Sequence, residues 1–522
     1  MSKDTIYGKI YSAMSETNSQ QHGSNTIHTL YIGCFVAIVL SAVILRMYKA
    51  YYTGVIYDEA LTYFRFARDF NSAVSDYSTT NNHLLNSVLI YLSVNILGQL
   101  GSFMGVPAIR LPAFFFGIVY VVSIAVIIES ALRNRPLKIL VLALCLSNYF
   151  IFDLSILARG YAIALGAVYC ELLLVILYPT LLKDYDKSMV FLLSALNFIA
   201  LGAMLTSLYT IVPLNLAFLA VMYHTKNDCA AADKPSGAFK KVLLKKVFEM
   251  GSAIMCFSSL PLALLYIKVI TTIISAAAVK SEINEAPATI LNALITEGLF
   301  SKWGFHLWNL ENITRAIMLP VMLILAVLFI LNIIVNKKTL TPAALIILSV
   351  LAASFSLAYI AHTAAGLSLG FTRNHVFWLP LIVLTAGIIA DGALDCRIIG
   401  QVFMRAGTCL ICLILIVLTA GPLASLRVVT TYDWRTQSVV GPLLRELKKT
   451  DATRRWRVGF SDKLDFNLFP YLFYNGEAYR ISDSDVAVYH ISEQNQHPEN
   501  PYEYDLFKKF DCIVVLAART QR

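Results

Sequence analysis

Long apolar segments recur along this chain, and they constrain its fold more than any other feature. Many run for roughly 17 to 25 residues, which is long enough for a helix to cross a hydrocarbon core of about 30 Å. Only 14% of the 522 residues are charged and 57% are hydrophobic, whereas soluble domains carry about 25% charged residues. The sequence therefore predicts an α-helical polytopic membrane protein.

Eleven segments have the length and composition of transmembrane helices. They are 30–48, 111–130, 137–153, 160–180, 189–205, 207–223, 247–275, 313–335, 341–362, 375–392 and 405–426.

A further apolar run, 84–100, is shorter and is interrupted by polar residues. If it crossed the membrane, the basic loops 131–138, 224–246 and 336–338 would lie outside, against the tendency of Lys and Arg to stay in the cytoplasm. We therefore expect 84–100 to be an interfacial or re-entrant helix of the first external loop. The net charge of +9 is then explained by basic residues that orient membrane helices, and no nucleic-acid partner is predicted.

The same topology gives the domain organisation. We expect residues 1–29 to be a polar, disordered cytoplasmic segment, in which no cleavable signal peptide is apparent, and 30–426 to form the membrane domain. Its loops 49–110 and 276–312 are expected on the extracytoplasmic side, and the second is expected to cover a functional site there. The tail, 427–522, is predicted to be a small extracytoplasmic α/β domain. Its strand-like runs are "WRVGF", "VAVYH" and "CIVVLA", and "GPLLRELKKT" and "PYEYDLFKKF" look helical.

An acidic pair, Asp58 and Glu59, follows the first span in "VIYDEALTYFRFARDF". One interpretation is structural: Asp58 is a helix N-cap and Glu59 a first-turn acid that the helix dipole favours. The other is functional, because three more polar patches fall on the same predicted face of the membrane. These patches contain Asn82 and His83, then Arg159 and Tyr161, and finally Arg373 and His375.

Acids and arginines that converge at a membrane surface suit one chemistry well. A carboxylate deprotonates an incoming hydroxyl while cations hold a phosphate leaving group.

The order of these motifs resembles the GT-C glycosyltransferases that use polyprenyl-phosphate sugars, such as the dolichyl-phosphate-mannose protein mannosyltransferases and the lipid A aminoarabinose transferases. The family has an early Asp-Glu pair, an "NHPL"-like entry to a surface helix, an "S-x-E-A-R-x-Y" pattern and a late "R-Y…P" pattern. The matching segments here are the pair at 58–59, "NNHLL", "SILARGY" and "RNHVFWLP". The resemblance covers roughly residues 30 to 392.

Three positions depart from the family pattern. Leu84 replaces the Pro, Leu157 replaces the Glu and Asn374 replaces the Tyr, while Asp153 lies one turn before Leu157. Loss of the second acid disfavours a two-carboxylate metal site. We therefore predict no metal ligand and no cofactor, and dependence on a divalent metal stays open.

The resemblance implies a GT-C-like fold and a transferase of the cell (inner) membrane, surrounded by membrane lipids. It would move a sugar from a polyprenyl-phosphate donor to a glycan, lipid or protein hydroxyl, with inversion. Asp58 would be the general base, with Glu59 helping or positioning it, and Arg159 and Arg373 would hold the phosphate. Asn82, His83, Tyr161 and His375 would be further substrate-binding residues; His83 would either donate to the phosphate or cap its helix, and His375 is equally an interfacial anchor.

Two other classes of function remain open. The first is a transporter or flippase of lipid-linked sugars, although transporters place polar residues near the bilayer midplane and often contain repeats. Here the charges concentrate at the span ends, and no repeat is visible. The second is a non-catalytic assembly or sensor protein that works through its tail.

Overall fold

The computed structural model describes residues 25–75, 83–182, 184–231, 242–258, 340–365 and 375–394, together with four strands near the C-terminus. The predicted spans 313–335 and 405–426, the loop 276–312 and the positions Asn82 and Arg373 lie outside the described residues.

The described membrane part is helical. Its helices are α1 (Asn25–Tyr52), α2 (Tyr57–Leu61), α3 (Phe70–Ser75), α4 (Leu84–Leu97), α5 (Leu111–Ala131), α6 (Arg135–Ser147), α7 (Tyr149–Leu154), α8 (Gly160–Leu177), α9 (Asp186–Ala203), α10 (Leu208–Ala231), α11 (Pro342–Ala365) and α12 (Trp378–Leu394). Residues 242–258 are also helical. A π-helical turn, Thr62–Ala67, follows α2, and a small hairpin of β1 (Ser102–Phe103) and β2 (Val106–Pro107) precedes α5.

Six of the described helices are long and apolar enough to cross a membrane, namely α1, α5, α8, α9, α10 and α11. The protein is therefore a multi-pass membrane protein. The predicted span 137–153 is divided into α6 and α7, because the side chain of Asn148 accepts a hydrogen bond from the backbone N–H of Ile151 at 3.1 Å and so begins a new helix.

Contacts between the ends of the long described helices define two ends of the bundle. At the first, which we call the Asp58 end, the start of α8 at Gly160 lies against the carbonyl of Ala203 at the end of α9. At the second, which we call the Glu129 end, Glu129 of α5 accepts hydrogen bonds from Tyr31 of α1 and from Lys138 of α6. The topology predicted from the basic loops puts the Glu129 end in the cytoplasm.

Helix α4 begins and ends at the Asp58 end. Its N-cap residue, His83, contacts the carbonyl of Ala203, with 2.9 Å between Nδ1 and O. Near its other end, Ser93 Oγ lies 2.7 Å from the carbonyl oxygen of Ala108, just before α5. The helix therefore does not cross to the Glu129 end.

The turn between α5 and α6 is fastened to helices from much later in the chain. Asp391 of α12 accepts hydrogen bonds from the backbone N–H groups of Arg133 (3.0 Å) and Asn134 (2.9 Å). Thr341, just before α11, donates to the carbonyl of Ala131 at 3.1 Å. These contacts close the Glu129 end over more than 200 residues of sequence.

The four C-terminal strands form one sheet in the order β3 (Val458–Phe460), β4 (Tyr489–Glu493), β6 (Ile513–Ala518) and β5 (Tyr504–Phe510). The prediction of a helix at "PYEYDLFKKF" is therefore wrong over Tyr504–Phe510. Only two residues separate this run from the apolar β6, and the two pair antiparallel with a bulge between Leu506 and Lys508. Cross-strand pairing overrides the local helical pattern. The other predicted helix, "GPLLRELKKT", lies outside the described residues.

Candidate active site

The acidic pair lies in the first turn of α2. The backbone of Ile56 is extended and forms the N-cap, and Glu59, three residues later, accepts a hydrogen bond from the Ile56 N–H at 3.0 Å. This is the acidic half of a capping box. Asp58 is inside the helix and is not its N-cap. Both side chains are buried, with 7% of Asp58 and none of Glu59 exposed.

Glu59 is held by a fully buried arginine from outside the predicted site. Arg110, the residue before α5, donates from Nε to Oε1 at 2.7 Å and from Nη2 to Oε2 at 2.5 Å. The backbone N–H of Ala158 also donates to Oε1, at 2.7 Å. With the Ile56 bond, the carboxylate accepts four hydrogen bonds. We call Glu59, Arg110 and the Ala158 N–H the Glu59 anchor.

The remaining donors of Arg110 bond to the loop that leads into α2. They contact the carbonyl oxygens of Ala50 (3.0 Å), Thr53 (2.9 Å) and Gly54 (2.8 Å). The sequence interpretation missed Arg110, since an arginine at the start of a span is ordinarily read as an interfacial anchor. The sequence feature that indicates a buried arginine is its position within the apolar run "VPAIRLPA".

Arg159 faces the other acid of the pair. Its Nη2 lies 3.9 Å from Oδ2 of Asp58, and its Nη1 donates to Thr62 Oγ1 at 3.3 Å. Only 1% of Arg159 is exposed, and its Nε has no hydrogen-bond partner among the described residues. Burial lowers the pKa of Arg159, but interactions with Asp58 and Tyr161 together raise it by more, so that the net pKa lies above its usual value. The guanidinium therefore stays charged.

His83 and Tyr161 meet beside Arg159. Because a carbonyl only accepts, the contact between His83 and Ala203 O requires a proton on Nδ1. The His83 side chain makes no capping bond to its own helix. Its ring contacts Tyr161 edge-on, with 5.6 Å between centroids. Gly160 permits this convergence, because an added Cβ would lie 2.2 Å from Ala203 O and 3.1 Å from Cγ of His83.

His375 lies in an aromatic cluster. It is completely buried and stacks on Trp378, with 4.3 Å between ring centroids. Tyr209, at the start of α10, is its neighbour at 6.1 Å. His375 is thus inside the protein and not at an exposed interface.

Two more buried cations come from α1, and the sequence interpretation also missed them. Lys49 forms an ion pair with Asp153, and Nε of Arg46 donates to Ser155 Oγ at 2.8 Å. Both cations face the ring of Phe152, at 4.8 Å for Arg46 and 5.3 Å for Lys49. They hold the turn that leads to Arg159.

The buried charges of the described residues at the Asp58 end do not cancel. Among the described residues there, four buried cations face three buried carboxylates, so one positive charge is in excess. A buried cation without a counter-charge is costly, and an anionic ligand would offset that cost. The cations are Arg46, Lys49, Arg110 and Arg159, and the carboxylates are Asp58, Glu59 and Asp153.

These three carboxylates are engaged by cations. Within the described part of the chain, no group of three or more His, Cys, Asp or Glu side chains is placed to hold a metal ion.

No family model and no curated protein matches this sequence. A comparison with solved structures finds the crystal structure of ArnT from Cupriavidus metallidurans bound to undecaprenyl phosphate. The alignment covers 94% of this chain and 98% of that one, with a TM-score of 0.45 and 11% sequence identity. At this level of similarity, the function has to be argued from the residues of the chain itself.

Proposed function

We propose that this protein is a membrane glycosyltransferase that moves a sugar from a polyprenyl-phosphate donor to an acceptor hydroxyl with inversion. The reaction takes place at the Asp58 end, on the extracytoplasmic side of a cell (inner) membrane. The observation that carries the proposal is the buried pair of Asp58 and Arg159, 3.9 Å apart, in a region where the described buried residues carry an excess positive charge. The order of the motifs, which resembles the GT-C family, supports it.

The chemistry is a single displacement at the anomeric carbon. Asp58 takes the proton of the acceptor hydroxyl as the acceptor oxygen attacks, and the bond between the anomeric carbon and the phosphate oxygen breaks. The leaving lipid phosphate gains negative charge. Arg159 stabilises that charge, because a guanidinium matches phosphate oxygens in geometry and charge.

Glu59 has a positioning role in this mechanism. Its four hydrogen bonds leave it poorly suited to proton transfer. Its partner Ala158 is the neighbour of Arg159, and Glu59 itself is the neighbour of Asp58. The Glu59 anchor therefore fixes the base and the phosphate ligand relative to each other.

The remaining predicted site residues have supporting roles in the proposal. His83 contacts Tyr161, whose ring lies beside Arg159, and in the proposal both side chains contact the donor. His375 has a supporting role from the aromatic cluster. Arg373 is proposed as the second phosphate ligand and Asn82 as a neighbour of His83. The donor carries a sugar on undecaprenyl or a similar polyprenyl phosphate, and the acceptor is a glycan, lipid or protein.

The test is mass spectrometry of lipids and surface glycans in a deletion strain that expresses either wild-type protein or a variant. We expect Asp58→Asn to accumulate a sugar-bearing lipid phosphate and to lose one residue from a glycan. The matched control is Asp69→Asn, an exposed acid of the same segment, which should behave as wild type. A normal lipid and glycan profile with Asp58→Asn contradicts the proposal.

One observation favours the alternative, a transporter or flippase of lipid-linked sugars. Glu171 lies inside α8, completely buried, and neither of its oxygens has a hydrogen-bond partner among the described residues. Intramembrane carboxyl groups of this kind are typical of transport pathways. In a transporter, Glu171→Gln would block function and Asp58→Asn would not, which is the reverse of the outcome expected for the transferase.

A further inference from the structure

Asn86 lies close to the proposed reaction centre. It is completely buried in the first turn of α4, and its Nδ2 donates to the carbonyl oxygen of Ala158 at 3.2 Å. The backbone N–H of Ala158 donates to Glu59. Ala158 is therefore held on both sides, immediately before Arg159.

The orientation of the Asn86 amide follows from this contact. A carbonyl oxygen only accepts hydrogen bonds, so the NH2 group must face Ala158 and Oδ1 must point elsewhere. That Oδ1 is buried and has no hydrogen-bond partner among the described residues. Buried polar atoms are ordinarily paired, and an unpaired one in a native structure calls for a ligand, a water or an ion.

Two residues next to Ala158 each have such an atom. One atom is the acceptor Oδ1 of Asn86, and the other is the donor Nε of Arg159. A single ligand would satisfy both if it carried an anionic oxygen beside a group that donates a hydrogen bond. A sugar attached to a phosphate has this combination, because its hydroxyl groups lie within a few bonds of the phosphate oxygens.

We propose that Asn86 binds the transferred sugar, with Oδ1 accepting a hydrogen bond from a hydroxyl or amino group while Arg159 holds the phosphate. The inference rests on the proposed function and deepens it. It makes Asn86 a residue that distinguishes a sugar-bearing lipid phosphate from the bare lipid phosphate.

The test measures binding to the purified full-length protein in lipid nanodiscs. The probes are farnesyl phosphate and farnesyl-phosphoryl glucose, galactose, mannose and arabinose, without an acceptor. We expect Asn86→Leu to weaken binding of the tightest sugar-bearing probe by about tenfold or more beyond any change for farnesyl phosphate, since the lost hydrogen bond to the sugar is buried, whereas the phosphate probe senses only the loss of the bond to Ala158. The control is Asn95→Leu, an exposed asparagine of the same helix, which should change neither affinity.

A second measurement separates sugar contact from a purely structural role. Each deoxy form of the tightest sugar-bearing probe lacks one hydroxyl group. One of these forms should bind wild-type protein more weakly than the parent probe, and Asn86→Leu should abolish that difference in affinity. The opposite outcome is that Asn86→Leu weakens the binding of farnesyl phosphate and of the sugar-bearing probes equally and keeps the difference in affinity between the parent and deoxy probes. In that case Asn86 only positions Ala158 and the inference is wrong.

Other outcomes also overturn the inference. Unchanged binding of every probe would mean that Oδ1 contacts the acceptor or a water molecule. A wild-type protein that binds no sugar-bearing probe more tightly than farnesyl phosphate has no sugar contact of this kind. Failure of wild-type protein to bind farnesyl phosphate at all would instead contradict the proposed function itself.

Discussion

Arg110 and Glu59 form a two-point ion pair, and neither side chain is exposed to solvent. The pair joins the start of α5 to the first turn of α2. Through the Ala158 N–H it also reaches the residue before Arg159. The distance between the proposed base and the proposed phosphate ligand therefore depends on a pair that takes no part in the chemistry.

Removing one partner of this ion pair should destabilise the folded protein. We expect Arg110→Ala to lower the free energy of unfolding by about 3 to 5 kcal/mol, because it leaves a buried carboxylate uncompensated. Arg110→Lys keeps the charge but loses the two-point geometry, so we expect a lower kcat. Thermal unfolding in detergent and transfer kinetics measure both effects. Arg68→Lys, at an exposed arginine, is the control, and a wild-type kcat with Arg110→Lys would refute the positioning role.

Asp58→Asn should separate binding from chemistry. The substitution removes a negative charge from beside Arg159, so farnesyl phosphate should bind a few-fold more tightly, as expected when a nearby like charge is removed. Transfer should fall by about 100-fold or more, because the general base is lost. Titration with farnesyl phosphate and a transfer assay on the same preparation give the two values. Weaker phosphate binding together with intact transfer would argue against both assignments.

Gly160→Ala should disturb the site through its backbone. The added Cβ would lie 2.2 Å from Ala203 O, so α8 and α9 must separate and the contact of His83 with Ala203 must loosen. We expect lower thermal stability and weaker farnesyl phosphate binding. Gly33→Ala is the matched control, because no atom lies within 4 Å of its added Cβ; it should be neutral or stabilising by up to about 1 kcal/mol from helix propensity. Equal stability of the two variants would contradict the close approach.

Glu171→Leu should stabilise the protein. Burying a polar group without a hydrogen bond costs about 1 to 3 kcal/mol, and within the described part of the chain the Glu171 carboxyl has no such bond. A leucine of similar size removes that cost. The control is Glu129→Leu, which removes a carboxyl that bonds Tyr31 and Lys138 and should destabilise. Thermal unfolding compares the two, and destabilisation by Glu171→Leu would show that this carboxyl contributes to the fold.

Membrane sidedness has a direct test in a cysteine-free background. Asp69→Cys lies on the segment that follows α2, and Lys245→Cys lies on the helical residues 242–258, where 78% of the lysine side chain is exposed. A membrane-impermeant maleimide applied to intact cells should label the first site and not the second. Labelling of Lys245→Cys alone would show that the predicted topology is inverted and that the proposed reaction takes place in the cytoplasm.

Sequence patterns located the described membrane helices because hydrophobic length is a local property. The basic loops also indicated which polar motifs share a face, and the structure places Asp58 and Arg159 at that common end. The break at Asn148 was missed. An asparagine within an apolar run begins a new helix only when its side chain accepts a hydrogen bond from a backbone N–H of the following turn, as Asn148 does from Ile151. The strand Tyr504–Phe510 was missed because its partner strand decides its conformation.

The burial of three cations could not be predicted from the sequence, for a different reason. Arg46, Lys49 and Arg110 occur near span ends, where basic residues ordinarily extend toward the membrane surface. Whether such a side chain faces lipid headgroups or the interior depends on the acceptors that other helices present. For Arg110 those acceptors are Glu59 and three loop carbonyls, and no local pattern encodes them.

The bonds from Asp391 to the turn at Arg133 and Asn134 bear on how the protein is made. The ribosome completes that turn some 258 positions before it reaches Asp391, so the early hairpin must wait in the lipid for a much later helix to arrive. Chains that stall or are cut upstream of α12 would lack the bonds to Asp391 and keep at most the bond from Thr341 to Ala131. The two bonds to Asp391 can therefore form only after the last described membrane helix has been made.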